Sequence, residues 1–598
     1  MLDRKHSVLS TYIYTLKLLW QFNKGYFVGC LMKAILSGIV PVINVYFPML
    51  IVQSITDHNF NAVLQNVALM TGINLAVYIA QSYFTAKEQL VRNLFTTHLS
   101  LRILEKTANL DQSLLDDKDI HDLRQKANET ISRGHGLNFA SGAFSAISLM
   151  VTMIPIIILL MPLGILAFSI VLVFLAVDIT SQMVSRKMEY KFFLDTNEEN
   201  REANYFSNVL GDVKHRNDLK MYSLTKIMIR KYEKVKMSIL TKFKKMYFGV
   251  TIVYVISSIA ALLSTAFIYI LLGYNMIFRG MSFATFTLYF GAINQLIGSS
   301  QQFRQIVIQS YQSCIYIDHF RVFMLLENVI ANDNPKENVS IQKFDLSKDL
   351  VLNFENVSFT YPQGTNKVLD NANLTLEKGK FYVMVGANGS GKTTIVKLLC
   401  RLYDTTDGKI LLNNTDIKSF DYKDYRRAFG VVFQDFSYYN MSIKENITFE
   451  ENTIHQNLLL SSIRLSGLES RVSVLKNGLD HFLGKLFDKD GVEFSGGECQ
   501  KLAIARALYH KAEIFVLDEP SSALDPNAEY DLIQTFLKLR DEGKTVLFIS
   551  HRLSTVNYAD EVIFIDQGRA AQGTHNDLMQ CSEKYNEMYV KQSSLYLK

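Results

Sequence analysis

The stretch Gly386-Ala387-Asn388-Gly389-Ser390-Gly391-Lys392-Thr393 decides the fold of the C-terminal half of this chain. It matches the pattern GxxxxGK[ST], follows an apolar run at residues 381–385 that predicts a strand, and precedes a predicted helix at residues 394–402. Glycines in such a turn let successive backbone N–H groups point at phosphate oxygens, while the helix N-terminus adds partial positive charge. Lys392 would reach the outer phosphates and the Thr393 hydroxyl would bind Mg²⁺. The stretch therefore predicts a nucleoside phosphate site.

A second apolar run, at residues 514–517, ends in two carboxylates, Asp518 and Glu519. Open α/β sheets bind their ligands at the carboxyl ends of their strands, so Asp518 can enter the Mg²⁺ shell and Glu519 can polarise an attacking water. Further apolar runs at residues 430–433 and 545–549 alternate with helical segments. This alternation predicts an α/β P-loop domain with a parallel sheet that is covered on both faces.

The composition indicates a second, membrane-embedded domain. Of 598 residues, 48% are hydrophobic and 20% charged, and the mean hydropathy of +0.09 lies between that of a soluble enzyme and that of an all-membrane protein. Six apolar stretches are long enough to cross a hydrocarbon core of about 30 Å. They are residues 25–55, 61–86, 137–161, 163–184, 246–274 and 283–308. We therefore expect an α-helical membrane domain with six transmembrane helices at 1–326, a linker at 327–350 and the nucleotide-binding domain at 351–598.

Long polar loops alternate with tight turns between these stretches, and Lys and Arg concentrate in the long loops. The positive-inside rule then places both long loops, both termini and the C-terminal domain in the cytoplasm. The basic run at 186–245 could also bind nucleic acid, but the flanking apolar segments explain it more simply, and no nucleic-acid partner is expected. Helical periodicity predicts that the spans continue as helices into the cytoplasm, with turns near 114–120 and 211–222.

Further motifs occur between and around these two, in a fixed order. Ser495-Gly496-Gly497-Glu498-Cys499-Gln500 resembles an LSGGQ signature, and Ser522-Ala523-Leu524-Asp525 resembles a D-loop. Gln434 is similar to a Q-loop glutamine, His551 to a switch histidine and Tyr361 to an adenine-stacking aromatic. Together the motifs resemble the ATP-binding cassette (ABC) family, in the exporter branch. The signature region is most similar to that of bacterial lantibiotic and other peptide exporters.

The resemblance implies ATP and Mg²⁺ as cofactors, with Glu519 and His551 as the catalytic residues. Mg²⁺ is expected on Thr393, Gln434 and Asp518. The residues expected to bind ATP are Tyr361, Gly386, Asn388, Gly389, Ser390, Gly391, Lys392, Thr393, Thr394, Gln434, Ser495, Gly496, Gly497, Asp518 and Asp525.

The family also implies that two chains share each ATP, because the signature serine contacts ATP held by the partner. This chain has one copy of each motif, so it resembles a half-transporter, and the intact Glu519 favours a homodimer over a heterodimer. Two positions depart from the family pattern. Glu498 replaces an amide but suits the dipole of a helix N-terminus, whereas Lys489 replaces a glutamate and leaves the coupling to the cytoplasmic loops open.

Polar residues in the last apolar stretch suggest where cargo would pass. Gln295, Gln302 and Gln309 recur every seven residues and lie on one helix face. Such a stripe could be a hydrated wall of the transport pathway, or it could hydrogen-bond neighbouring helices. The candidate pathway residues are Asn294, Gln295, Gln301, Gln302, Arg304 and Gln309. Asp178 lies near the cytoplasmic end of its span, where it could pair with a basic residue.

These features predict a multi-pass protein of the bacterial cell (inner) membrane that exports cargo by alternating access at the expense of ATP. Its expected partners are a second copy of itself, membrane lipids and a small peptide or amphipathic cargo. A lipid flippase and a multidrug exporter remain alternatives. A different class, an ATP-gated channel or regulatory subunit, would not need Glu519, His551 and Gln434 intact.

Overall fold

The chain divides into two compact units. A computed structural model describes residues 7–132, 134–163, 165–212, 215–328, 350–450 and 454–594. The helical unit comprises Met1–Ala108 and Asp122–Leu326, and the nucleotide unit comprises Asn109–His121 and Glu327–Lys598. Most of the predicted linker at 327–350 lies outside the described residues. Asn109–His121 group with the C-terminal part of the chain, whereas the sequence placed them in the membrane domain at 1–326.

Long helices dominate the N-terminal part of the chain. They are α1 (Val8–Phe22), α2 (Lys24–Thr56), α3 (Phe60–Ala108), α4 (Gln112–Leu115), α5 (Lys118–Ser132), α6 (His135–Leu160), α7 (Ile165–Gly211), α8 (Arg216–Met221), α9 (Thr225–Phe278) and α10 (Phe283–Met324). At a rise of 1.5 Å per residue, α3, α7 and α9 are roughly 70 to 80 Å long, more than twice a hydrocarbon core. They confirm that the apolar stretches continue as helices, and the short helices α4 and α8 confirm the two predicted turns.

Four helices in the described part of the chain are long and apolar enough to cross a membrane: Lys24–Thr56, Phe60–Ala108, Gly136–Leu163 and Thr225–Phe278. The other two predicted spans fall within α7 and α10. The polar residues of α10 lower its hydropathy, and part of the apolar segment of α7 has side chains outside the description. The count of six spans therefore stays a prediction.

Close backbone approach and buried hydrogen bonds hold the long helices together. A Cβ at Gly38 would lie 2.5 Å from the Ser148 carbonyl oxygen, so α2 and α6 touch at this point. The Thr152 hydroxyl donates to the Gly38 carbonyl at 2.8 Å. Asp178 is buried, and its carboxylate accepts hydrogen bonds from Gln182, Ser257 and Ser300, at 2.9, 3.1 and 2.9 Å. Small residues and polar side chains thus join α7, α9 and α10 as expected for helices in lipid.

The nucleotide unit contains two sheets. Its strands are β1 (Leu352–Phe359), β2 (Leu369–Leu376), β3 (Phe381–Gly386), β4 (Asp407–Leu412), β5 (Thr415–Asp416), β6 (Phe429–Val432), β7 (Ile514–Asp518), β8 (Thr545–Ile549), β9 (Glu561–Asp566) and β10 (Arg569–Gly573). Its helices are α11 (Lys392–Leu399), α12 (Tyr422–Arg427), α13 (Ile443–Thr448), α14 (Gln456–Leu465), α15 (Glu469–Ser473), α16 (Gly496–Tyr509), α17 (Pro526–Asp541), α18 (His575–Cys581) and α19 (Glu583–Ser593).

The larger sheet has the order β10-β9-β3-β8-β7-β6, and all its pairs are parallel except β10 with β9. Alternate residues of β3 enter different apolar clusters: Tyr382 and Met384 pack in one, Phe381, Val383 and Val385 in the other. Both faces of the sheet are therefore covered, as predicted. The second sheet, β2-β1-β4-β5, is antiparallel and was not predicted. Helix α11 begins two residues earlier than predicted, directly at the end of the phosphate loop.

Candidate nucleotide site

The phosphate loop joins β3 to α11 through a backbone that only glycine allows. Gly389 and Gly391 have φ of +76° and +110°. A Cβ at Gly386 would lie 2.3 Å from the Ile565 carbonyl oxygen, and one at Gly391 would lie 2.8 Å from Leu369 Cδ2. At Gly386 and Gly391 neighbouring atoms fill the space of the missing side chain, and at Gly389 and Gly391 the positive φ favours glycine, so the loop turns where its glycines stand. The turn leaves its N–H groups at the N-terminus of α11.

The ammonium group of Lys392 lies inside this loop. Its Nζ donates to the carbonyl oxygens of Gly386 and Ala387 at 2.8 and 2.9 Å. Burial lowers the pKa of Lys392, and the carboxylates of Glu519 and Asp518 oppose that shift. A phosphate oxygen that entered the loop would meet a preformed, partly desolvated cation.

Asp518 is the buried carboxylate at the end of β7. Neither of its oxygens has a hydrogen-bond partner of normal geometry among the residues that the structure describes. Burial raises the pKa of Asp518, and the nearby Thr393 hydroxyl opposes that shift. Buried carboxylate oxygens without donors are costly unless a cation lies against them. Asp518 and Thr393 therefore fit Mg²⁺, which prefers such oxygen ligands.

Glu519 follows in a left-handed backbone conformation, with φ of +54°. Its N–H donates to the Ile549 carbonyl at 3.2 Å. Its carboxylate is held from two sides: one oxygen pairs with His551 Nε2, and the other accepts from Gln434 Nε2 at 3.1 Å. Such strained positions cluster at active sites, where they fix a reactive group. The Q-loop and switch residues thus meet at one carboxylate.

A cavity of about 490 Å³ collects most of the predicted groups, and its volume suits a ligand of nucleotide size. The predicted residues that line it are Tyr361, Asn388, Gly389, Gly391, Lys392, Thr393, Thr394, Gln434, Glu519 and His551. Gly386, Ser390 and Asp518 do not line it. Val368 does, although no motif contained it. One wall is Tyr361, whose hydroxyl lies 3.1 Å from Thr394 Oγ1.

The signature is not part of this cavity. Ser495 is exposed and begins α16 together with Gly496 and Gly497. Asp525 does not line the cavity either, because its Oδ1 accepts the N–H groups of Asn527 and Ala528 and caps α17. This capping by Ala528, with a smaller part from Asn527, lowers the pKa of Asp525. Within one chain, the phosphate loop and the signature therefore stay separate.

Gln500, at the end of the signature, connects the signature helix to Glu519 and the D-loop, a role that the sequence did not predict. It is fully buried, its Nε2 donates to the Glu519 carbonyl at 3.2 Å, and its Oε1 accepts from the Ala523 N–H at 3.3 Å. This amide ties α16 to the end of β7 and to the D-loop. A polar residue among the apolar positions of α16 was the signal available in the sequence.

Comparison with known proteins identifies the domain that holds this site. Residues 369–522 match the ABC transporter family, and this range contains the phosphate loop, the signature and both carboxylates of β7. The chain therefore contains an ABC transporter domain at these residues. The transporter accordingly binds ATP and couples its hydrolysis to transport.

Relatives match over nearly the full length of the transporter. It is 28% identical to the subtilin transport ATP-binding protein SpaT of Bacillus subtilis, over 96% of this chain and 93% of that one. It is 26% identical to the nisin transport ATP-binding protein NisT of Lactococcus lactis subsp. lactis, over 97% and 95%. A solved structure of a bacterial Atm1-family ABC exporter with ATP bound has a TM-score of 0.79 and covers 95% of this chain and 98% of its own, at 20% identity. The predicted resemblance to ABC exporters is confirmed, and so is the predicted fold class apart from the number of spans.

The turn that contains α4 contacts other residues of the nucleotide unit to which it belongs. Tyr403 donates its hydroxyl to Asp116 Oδ2 at the end of α4. Asn328 Nδ2 donates to the Asn109 carbonyl at 2.5 Å, and Asn328 Oδ1 accepts from the Asp111 N–H at 3.2 Å. Burial and the Asp116 carboxylate raise the pKa of Tyr403.

The candidate cargo residues all lie on α10 but differ in their surroundings. Asn294 accepts a hydrogen bond from the Tyr269 hydroxyl on α9 at 2.8 Å. It therefore joins two helices, which is the structural alternative to a place in the transport pathway. Gln295 donates to Ser299 within the helix at 3.4 Å. Gln301, Gln302 and Gln309 are exposed in the single chain, and the Arg304 side chain lies outside the described residues.

Glu498 joins the signature serine to a cation. Its Oε2 accepts from the backbone N–H and the hydroxyl of Ser495 at 2.8 and 3.1 Å, while its Oε1 lies 2.9 Å from Arg471 Nε. The predicted fit of this carboxylate to the first turn of α16 is confirmed by a capping box. Arg471 balances a negative charge next to the group that would face phosphate in a dimer.

We expect Glu519→Gln to lower ATP hydrolysis by about 10²- to 10⁴-fold, because the amide keeps the shape but cannot polarise water as a carboxylate does. ATP binding should persist, whereas Lys392→Ala should weaken binding itself. Steady-state ATPase rates and nucleotide titrations measure both. Glu513→Gln, a change at the opposite end of β7, is the control. Wild-type hydrolysis by Glu519→Gln protein would rule out its catalytic role.

We expect Arg471→Gln to raise the KM for ATP about tenfold, because it leaves the Glu498 carboxylate uncompensated near an incoming phosphate. Adding Glu498→Gln should restore KM, since the charge that Arg471 balances is then gone. Arg464→Gln, which breaks an exposed pair with Glu469, should change little. The ATPase double-mutant cycle measures the coupling, and a double variant no better than Arg471→Gln alone would contradict it.

Proposed function

We propose that this transporter exports a small peptide across a bacterial cell membrane, working as a homodimer that hydrolyses ATP at two shared sites. The observation that carries the proposal is the composition of the ATP cavity. It contains the phosphate loop, Gln434, Glu519 and His551, but not Ser495. A second copy related by two-fold symmetry would supply Ser495 to each cavity, and the operation would create two equivalent sites.

In each site the residues of this chain would divide the work. Lys392 and the loop N–H groups bind the phosphates, and Tyr361 stacks on the base. Asp518, Thr393 and Gln434 hold Mg²⁺, which neutralises charge on the phosphate oxygens when bound. Glu519 takes up the proton of the attacking water, and His551 keeps the Glu519 carboxylate aimed. Hydrolysis would remove the γ-phosphate that bridges the loop and the partner's Ser495.

Changes at the ATP site can reach the membrane helices through rigid elements. Gln500 joins α16 to the Glu519 carbonyl, so movement of the signature helix would be felt at the end of β7. On the other side, Asp116 follows α4 and accepts from Tyr403 in the nucleotide unit. We propose that this turn carries opening and closing of the ATP sites to the long helices, giving alternating access.

The peptide cargo is supported by two independent observations. Both full-length relatives described above are lantibiotic transporters. The glutamines of α10 offer both donors and acceptors, which a peptide needs once its amide groups leave bulk water. The positive-inside pattern supports an orientation with the nucleotide-binding domain in the cytoplasm, so the peptide would be made in the same cell.

We expect a lantibiotic-type peptide to stimulate ATP hydrolysis by the transporter reconstituted in liposomes. Gln295→Leu with Gln302→Leu should raise the half-stimulating peptide concentration, by about fivefold for each lost hydrogen bond. Basal hydrolysis should remain. Peptide-stimulated ATPase activity and peptide uptake into inverted vesicles measure the effect.

The matched control is Gln81→Leu, which removes a single amide from α3 and should leave stimulation intact. Stimulation by phospholipids or by hydrophobic drugs, with none by peptides, would refute the peptide proposal in favour of a flippase or a drug exporter. ATP hydrolysis that responds to no cargo and moves none would refute export.

A further inference from the structure

A second cavity, of about 230 Å³, lies within the helical unit between α1, α2, α3, α6 and α10. Its most unusual feature is an ion pair in its wall: Lys33 Nζ on α2 lies 2.7 Å from Glu88 Oε2 on α3. Pockets that enclose drug-sized ligands have about 300 to 1,000 Å³. This cavity is smaller, so it suits a fragment the size of a lipid headgroup rather than a peptide.

Lys33 and Glu88 are the charged residues of the wall, and Arg92, which lies outside the wall, gives the cluster beside the cavity a net positive charge. Arg92 Nη2 lies 3.7 Å from Glu88 Oε1, so two cations share one carboxylate. Arg92 also donates to Asn138 Oδ1 on α6 at 3.3 Å. The side chains of Lys33 and Glu88 are only 29% and 17% exposed, which limits the neutralisation of the extra charge by solvent. An anion at Lys33 would balance the cluster.

The remaining wall suits an amphiphilic anion. Four serines line it: the Ser141 hydroxyl already donates to the Asn138 carbonyl at 3.0 Å, and the other three hydroxyls can donate to phosphate oxygens. Several large apolar side chains can contact methylene groups. The serines are Ser37, Ser141, Ser145 and Ser148, and the apolar residues include Leu19, Phe144, Leu149 and Ile306. An ion pair that served only to join α2 to α3 would explain Lys33 and Glu88. It would not explain an open cavity beside them with a wall of hydroxyls.

The position along the helices matches a headgroup. Glu88 follows directly after the apolar stretch 61–86 of α3, and Lys33 pairs with it from α2. Lysine side chains in such places extend their ammonium group towards the membrane surface. In the proposed orientation, this end of α3 faces the cytoplasmic leaflet.

We propose that this cavity binds the phosphodiester headgroup of an anionic lipid from the cytoplasmic leaflet. The Lys33 ammonium contacts the phosphate, the serine hydroxyls donate to its oxygens, and the apolar residues contact the start of the acyl chains. Glu88 positions Lys33, with Arg92 holding Glu88 from the other side. The site is distinct from the ATP cavity, but Gln302, one of the candidate cargo residues, also lines it. The lipid proposal rests on the proposed membrane orientation and not on the identity of the cargo.

The test is a titration of the full-length transporter in detergent with phosphatidylglycerol, followed by native mass spectrometry. Lys33→Gln should weaken the tightest lipid adduct about tenfold, because a charge-assisted contact is lost. Lys87→Gln, one residue from Glu88 but exposed and outside the cavity wall, should stay within about twofold. Diacylglycerol with the same chains should not form this adduct. If the wild-type protein, Lys33→Gln and Lys87→Gln bound phosphatidylglycerol with equal affinity, the proposal would be overturned.

A second pair of variants guards against effects on folding. Ser145→Leu should block the adduct by filling the cavity while the ion pair stays in place, and Ala146→Leu, the next residue and not in the wall, should not. Equal binding by these two variants would also overturn the proposal. Glycerophosphoglycerol, which has the same phosphodiester headgroup but no acyl chains, tests whether the headgroup alone is enough for binding. If it binds at Lys33 as tightly as the lipid, the ligand is a soluble phosphodiester, and the lipid proposal is wrong.

Discussion

The nucleotide site depends on the junction between β7 and Glu519. β7 is buried along its length and ends in Asp518, whose oxygens have no hydrogen-bond partner of normal geometry among the described residues. The next residue leaves the strand with φ of +54°. Such a conformation costs roughly 1 to 3 kcal/mol and persists only where contacts fix it. Here the fixing contacts come from His551 and Gln434 to the carboxylate and from Gln500 to the carbonyl. The switch, Q-loop and signature helix therefore all act on one residue.

In the helical unit, the same requirement to satisfy buried polar groups joins the helices. Asp178 gathers donors from α7, α9 and α10, and Thr152 donates to the buried carbonyl of Gly38 on α2. Since unpaired polar groups are costly in hydrocarbon, these contacts favour helices that move as packed groups. The proposed lipid site differs from them, because its ion pair between Lys33 and Glu88 borders an open cavity.

Features that depend on neighbouring residues could be predicted from the sequence. The phosphate loop and the Asp518-Glu519 pair each follow a strand directly, and the breaks at α4 and α8 lie in polar stretches between long apolar ones. Contacts between distant residues could not be predicted. Arg471 meets Glu498 across 27 positions, and Leu352 of β1 pairs with Leu412 of β4 across 60 positions. The glutamines of α10 show a further limit of sequence-based prediction. Their seven-residue spacing is compatible both with hydrogen bonds to neighbouring helices and with an exposed face, so it does not distinguish the two.

The central claim is that two chains complete each ATP site. Asn388 lines the cavity and is exposed, as is Ser495, so cysteines can be placed at both in a cysteine-free Glu519→Gln background. The measurement mixes one chain carrying Asn388→Cys with another carrying Ser495→Cys, so that any cross-link must join different chains. A dimer product that forms with ATP and Mg²⁺, and not without them, is the predicted result. The absence of this product, together with an ATP-dependent cross-link inside a single chain carrying both changes, would contradict shared sites.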